Sequence, residues 1–72
     1  MTLKVVSVEF EYHTRLVDAL YLEIAGYVFT ATSDEEAETE SRLFAFEIGH
    51  PEAHSLFIRR KGPQPRDWIV NL

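Results

Sequence analysis

The sequence predicts a small α+β domain, in which one helix packs on a mostly antiparallel sheet of about four or five strands. Three observations support this fold class. Several segments alternate apolar and polar residues, as strands with one solvated face do. Segment 14–26 repeats apolar residues at helical spacing, and turn-forming residues separate the later segments. The alternative is an all-β meander or small barrel, since segment 14–26 also alternates.

The first predicted strand covers residues 3–12. Its alternation predicts a half-buried strand of the antiparallel kind. One face carries Val6, Val8, Phe10 and Tyr12, and the other carries Ser7, Glu9 and Glu11.

Segment 14–26 is the predicted helix. Thr14 can serve as its N-cap, and Gly26 stands where a C′ glycine belongs. A strand interpretation would need a turn between residues 13 and 18, where Asp18 is the only strong turn former. It would also need a strand of about fifteen residues, longer than is usual. The residues that match the helical spacing are Val17, Leu20, Tyr21, Ile24 and Ala25.

The rest of the chain is predicted to be mainly strands. Segment 27–32 is rich in β-branched and aromatic residues, which favours a strand. Ser33 and Glu36 have capping-box spacing, but the residues that follow offer a weak apolar face, which predicts a loop or one or two helical turns. Segments 42–48 and 55–60 alternate and are predicted to form a hairpin. Segment 67–72 is predicted to be a terminal strand anchored by Trp68.

Length and composition predict a single domain over residues 1–72, located in the cytoplasm. The chain has no cysteine, which suits a reducing compartment, and its first residues lack the pattern of a signal peptide. The longest weakly charged stretch, 16–32, contains Asp18 and Glu23 and is too polar to span a bilayer.

No pattern in the sequence predicts catalysis or a cofactor, so we expect a protein that is not an enzyme. His50 and His54 have the spacing of a helical metal pair, but Pro51 between them favours a loop, and no metal is predicted. The glycines are isolated, so no phosphate-binding loop is formed, and no serine has the glycines of a nucleophile elbow around it.

Charge is the most informative feature. Segment 34–40 holds five carboxylates, and segment 59–61 holds three of the seven basic residues. A net charge of −5 argues against direct binding to nucleic acids or to anionic membranes. It favours a protein partner, for example a basic or nucleic-acid-binding one, with mimicry of phosphates by the carboxylates as a minor possibility.

These features predict a small acidic protein–protein interaction module that regulates or inhibits its partner. Size, acidity and apolar content resemble, as a class only, the compact inhibitors that bacterial viruses make against host machinery. The alternative is a homo-oligomeric structural subunit, such as a homodimer, whose exposed strand edges pair with copies of itself. The predicted partner-binding residues are Asp34, Glu35, Glu36, Glu38, Glu40, Arg59, Arg60 and Trp68.

Overall fold

A computed structural model describes residues 8–72. Within this range the chain forms two strands, a helix and two further strands. The strands are β1 (Phe10–Val17), β2 (Glu23–Ala31), β3 (Ser55–Arg60) and β4 (Arg66–Asn71), and the helix is α1 (Asp34–Ile48). The predicted α+β class is therefore confirmed, and the all-β alternative is wrong because of the helix.

The four strands form one open antiparallel sheet in the order β2-β1-β3-β4. β1 lies in the interior and pairs with β2 on one side and β3 on the other. β2 and β4 are therefore the two edges of the sheet among the described residues.

The helix covers one face of this sheet along a line of small residues. Ala37, Ser41 and Ala45 are spaced four apart and are all buried. Side chains of this size let the helix axis approach the sheet closely. The Ser41 hydroxyl also shares a hydrogen bond of 2.6 Å with Thr14 of β1, which satisfies both buried hydroxyl groups.

The core lies between this line and the inward-facing residues of the strands. Alternation along each strand brings every second side chain towards the helix. The largest buried apolar side chains are Tyr12, Leu16, Leu56 and Ile58. Partly buried Phe10, Phe29, Phe44 and Trp68 pack around them.

Several strand predictions are confirmed. Segment 27–32 falls in β2 except for Thr32, segment 55–60 is β3, and segment 67–72 corresponds to β4 except for Leu72. Phe10 and Tyr12 lie on the inward face, as predicted for the first strand. Residues 3–7 of that prediction lie outside the described residues, and Val8 precedes β1 and is exposed.

The predicted helix over 14–26 is wrong, because this segment forms most of a β1–β2 hairpin. The turn lies at residues 18–22, later than the strand interpretation placed it. Asp18 alone organises it: its Oδ1 accepts hydrogen bonds from the amides of Leu20 and Leu22, and its carbonyl accepts one from the Tyr21 amide. Gly26 is therefore a residue within β2 and caps no helix.

The predicted strand over 42–48, and its hairpin with 55–60, are also wrong. This segment is the second half of α1, which ends at Gly49 in the left-handed conformation. Ser33 is the N-cap as predicted, since its hydroxyl accepts a hydrogen bond from the Glu36 amide. The prediction of a loop or one or two helical turns after Ser33 is wrong, because the helix runs for fifteen residues. Its buried side is formed by small residues, and large ones such as Phe46 are exposed.

Replacing Leu56 by alanine tests the position of the core. Leu56 is fully buried on β3, so Leu56→Ala should lower the free energy of unfolding by about 2–5 kcal/mol. Leu22→Ala is the matched control, because Leu22 is 62% exposed and its loss should change stability by less than about 0.5 kcal/mol. Urea titration followed by circular dichroism measures both, and equal effects would contradict the assigned core.

Candidate functional site

The face of the sheet that lies opposite α1, here called the open face, has no described element packed on it. The strand registers and the alternation of side chains identify the residues on this face. Its residues are Glu11, His13 and Arg15 of β1, Gly26, Val28 and Thr30 of β2, Phe57 and Arg59 of β3, and Asp67, Ile69 and Asn71 of β4.

A groove of about 760 Å³ lies on the open face. Val28, Phe57 and Ile69 give it an apolar lining, and Val28 and Ile69 are each 58% exposed. The cross-strand neighbours of Arg15 are Gly26 and Phe57, and the missing side chain at Gly26 leaves a hollow beside Arg15. A Cβ placed there would meet only ordinary contacts, at 3.8 Å from the Thr14 carbonyl oxygen and 3.9 Å from Glu23.

Charged side chains line the groove beside its apolar and aromatic residues. The Arg15 guanidinium lies 5.7 Å from the centre of the Phe57 ring, within the range of a cation–π contact. Arg59 donates two hydrogen bonds to Asp67 on β4, at 2.8 and 3.2 Å. This pair holds the pKa of the Asp67 carboxyl below its usual value. The groove thus combines apolar side chains of β2, β3 and β4 with polar and charged side chains of β1, which lie between β2 and β3.

The tip of the β1–β2 hairpin carries three consecutive exposed apolar residues, Leu20, Tyr21 and Leu22. Tyr21 has a φ of 62°, the left-handed region that a bulky residue rarely adopts. Its ring stacks on Phe57 with centroids 5.6 Å apart. The strained turn therefore holds an exposed aromatic ring against a residue of the groove.

On the opposite face, Asp34 is the centre of a polar cluster. Its carboxylate accepts hydrogen bonds from the Tyr12 hydroxyl at 2.7 Å, from Arg60 at 3.1 Å to each oxygen, and from Arg66 at 2.7 Å. These four residues, here called the Asp34 cluster, come from β1, α1, β3 and β4. Asp34 is also the first residue of α1, where the helix dipole favours a negative charge.

The cluster shifts the pKa of two of its members. Burial alone would raise the pKa of Asp34, but hydrogen bonds from Tyr12 and Arg66 and the charges of both arginines outweigh it, and the pKa lies below the usual 3.8. Burial, together with the hydrogen bond to Asp34, raises the pKa of Tyr12 to about 12. The charged carboxylate and the neutral phenol are the forms that the fold stabilises.

The other predicted acidic residues lie along the first half of α1. Glu36 accepts a hydrogen bond from the Thr32 hydroxyl at 2.6 Å. Glu38 accepts one from the Trp68 indole at 3.3 Å and lies 3.8 Å from Arg42. Within residues 8–72 no ion pair involves Glu35 or Glu40. The acidic run is therefore divided between groups with internal partners and groups available to solvent.

The predicted basic and aromatic residues are separated by the sheet. Arg60 belongs to the Asp34 cluster, whereas Arg59 lies on the open face. The Trp68 ring packs edge-on against Tyr12 at 6.2 Å and is half-buried on the helix side. The eight predicted residues thus do not form one surface.

Sequence reasoning did not single out the groove. Arg15, Val28, Phe57 and Ile69 come from four strands, and only the strand order brings them together. A usable signal was present in β2 and β4, where apolar residues occur on both faces of strands expected to have one solvated side.

The predicted loop histidines have local partners. His50 accepts a hydrogen bond from the Glu52 amide, and His54 shares one of 2.7 Å with the Ser55 hydroxyl. Within the part of the chain that the structure describes, no three metal-ligating side chains lie close enough together to hold an ion. No helix in that part has the length and apolar character needed to cross a bilayer.

Comparisons of the chain with protein-family models, with curated proteins and with solved structures found no match.

Acid titration of stability tests the Asp34 cluster. Because the folded pKa of Asp34 lies below its unfolded value, its contribution is complete above the unfolded pKa and is lost as pH falls through the folded pKa. Asp34→Asn should lower stability at pH 7 by about 1–3 kcal/mol and flatten the decline between about pH 5 and pH 2. Urea titrations across this pH range measure both effects.

Asp67→Asn is the matched control, since Asp67 pairs with an arginine at the exposed end of β4 and its side chain is 64% exposed. Solvent screens that pair, so its loss should change stability less than Asp34→Asn does. An equal effect of the two variants would contradict a central role for the Asp34 cluster.

Proposed function

We propose that this protein binds another protein through the groove on its open face and that it acts by occupying a surface of that partner. The observation that carries the proposal is the groove itself, with exposed Val28 and Ile69 beside half-buried Phe57 on a face that no described element covers. Phe57 and Ile69 are cross-strand neighbours, and exposed apolar groups bordered by polar residues commonly mark interaction sites.

The lining also favours a protein partner by its residue types. Tyrosine and arginine are enriched among the residues that dominate binding energy, and Tyr21 and Arg15 both contact the Phe57 ring. The strained backbone at Tyr21 is consistent with a functional constraint on this ring. The charged groups along the groove, among them Arg15, Lys61 and Glu23, can select the partner's orientation.

The acidic residues of α1 have a second role in this proposal. Glu35 and Glu40 lie on the helix, away from the groove, and can attract a basic partner at long range while the groove supplies contact. We propose a regulatory or inhibitory role in the cytoplasm, without catalysis, on the basis of the acidity of the sequence and its lack of cysteine. Self-assembly is the second candidate function, favoured by the exposed edge of β2.

Capture of the partner from the native cell tests the groove. Tagged wild-type protein and an Ile69→Lys variant are compared by quantitative mass spectrometry, and the partner is then produced for titration. We expect Ile69→Lys to weaken binding about tenfold or more, because it places a charge beside Phe57, the apolar cross-strand neighbour of Ile69. Leu43→Lys is the matched control, since Leu43 is 52% exposed but lies on α1.

Loss of binding in both variants, or in Leu43→Lys alone, would contradict binding through the groove. Circular dichroism and thermal unfolding establish that each variant is folded. Lysine is compatible with an edge strand and with a helix, so neither substitution should disturb its own element.

The steering role of the helix is tested by Glu35→Lys. It should slow association with the captured partner severalfold at low salt and leave dissociation nearly unchanged, with the difference shrinking as salt is added. Glu47→Lys, at the other end of α1, controls for the change in net charge. The same association rate for Glu35→Lys and wild type would eliminate the electrostatic part of the proposal.

A further inference from the structure

The outer edge of β2 presents a row of backbone groups that point away from the sheet. The Glu11 carbonyl accepts a hydrogen bond from the Lys61 amide, so the odd-numbered residues of β1 bond towards β3 and the even-numbered ones bond towards β2. In the β1–β2 register, Tyr12 is opposite Phe29 and Thr14 is opposite Tyr27. The odd-numbered residues of β2 therefore face β1, and Gly26, Val28 and Thr30 direct their N–H and C=O groups outward.

A register shift between Glu23 and Ala25 interrupts the start of β2, but from Ala25 onward this edge lacks the features that usually prevent strands from pairing. β2 has nine residues, and after Glu23 it contains no charged residue and no proline. Lysine, proline, strong twist and short length are the common protections of an edge. The other edge has such protection, because β4 has six residues and carries Arg66 and Asp67.

We propose that β2 pairs antiparallel with β2 of a second copy, around a two-fold axis at Tyr27, to form a dimer with one continuous eight-stranded sheet. When two identical strands pair antiparallel around a two-fold axis, the numbers of every two paired residues add up to the same sum. This sum must be even, so that outward-facing residues lie opposite each other. A centre at Tyr27 satisfies this condition and places Gly26 opposite Val28 of the partner subunit. Outward-facing groups then meet outward-facing groups on both strands.

The side chains of β2 suit a second copy in this register. Val28, which is 58% exposed, would lie over the vacant position of the partner's Gly26 on the open face. On the helix side, Tyr27 stacks on Phe29 and on Phe44, with centroids 5.0 Å apart in each case. Pairing at Tyr27 would join this aromatic row to that of the partner. The regular part of β2, from Ala25 onward, contains no charged residue, so no like charges meet across the strands there.

Cysteine cross-linking tests the register directly, because the chain contains no cysteine. Tyr27 faces its own counterpart in a non-hydrogen-bonded pair, where Cα atoms lie about 4.5 Å apart, a distance that a disulfide spans. We expect Tyr27→Cys to form a covalent dimer under mild oxidation in the full-length chain. Tyr21→Cys, at the exposed hairpin tip, is the matched control and should remain uncross-linked.

The association itself is measured on the wild-type chain by sedimentation across micromolar to millimolar concentrations. Val28→Pro removes an N–H group that points outward and donates no hydrogen bond to β1, so the fold should persist. The same N–H would donate to the second copy, so dimer affinity should fall at least tenfold. Val28→Thr keeps the N–H and a similar shape and should still dimerise. We expect the wild-type chain to form dimers in a concentration-dependent manner and Val28→Pro to weaken them. We also expect Tyr27→Cys to cross-link.

A wild-type chain that stays monomeric throughout, or a dimer that Val28→Pro and Val28→Thr weaken equally, would overturn the inference. Its failure is separable from failure of the groove proposal. Ile69→Lys changes β4 and should leave the dimer intact, whereas Val28→Pro acts on the β2 edge and is assayed without any other protein.

Discussion

A single helix on a four-stranded sheet can cover only one face, and this constraint decides where the molecule presents its surfaces. α1 has fifteen residues and rests on the sheet through Ala37, Ser41 and Ala45. Because these side chains are small, the helix lies close to the strands, and its larger residues such as Leu43 and Phe46 are left exposed. The open face consequently keeps its own apolar residues in contact with solvent.

The Asp34 cluster shows how the fold uses charge. A run of carboxylates near a group of basic residues suggests a docking surface when only the chain is considered. In the folded molecule, the Asp34 carboxylate accepts hydrogen bonds from Arg60, Arg66 and the Tyr12 hydroxyl. These bonds connect the start of α1 to three strands. A partly buried carboxylate such as Asp34 needs such partners because desolvation would otherwise favour its neutral form. Other molecules can still reach the solvent-facing part of the helix, the open face and the outer edge of β2.

The two proposed surfaces are compatible in space. A two-fold axis at Tyr27, perpendicular to the sheet, would keep the open faces of both copies on the same side. Gly26 and Val28 line the groove and also belong to the β2 edge, so the grooves of the two copies would adjoin. A dimer would then present two neighbouring grooves to a partner, which raises the effective affinity for a partner with two matching elements.

The sequence by itself determined the α+β class, the N-cap at Ser33, and the strands β3 and β4, because these depend on local patterns and on contacts between near neighbours. It did not determine which segment is the helix. Segment 14–26 fits both helical and strand periods, and segment 42–48 alternates as a strand does. The outcome depended on Asp18 organising a turn in the first segment and on small residues of α1 packing against the sheet. The groove and the partners of Asp34 were decided by tertiary structure alone, since their residues are distant in sequence and meet only when the strand order is fixed.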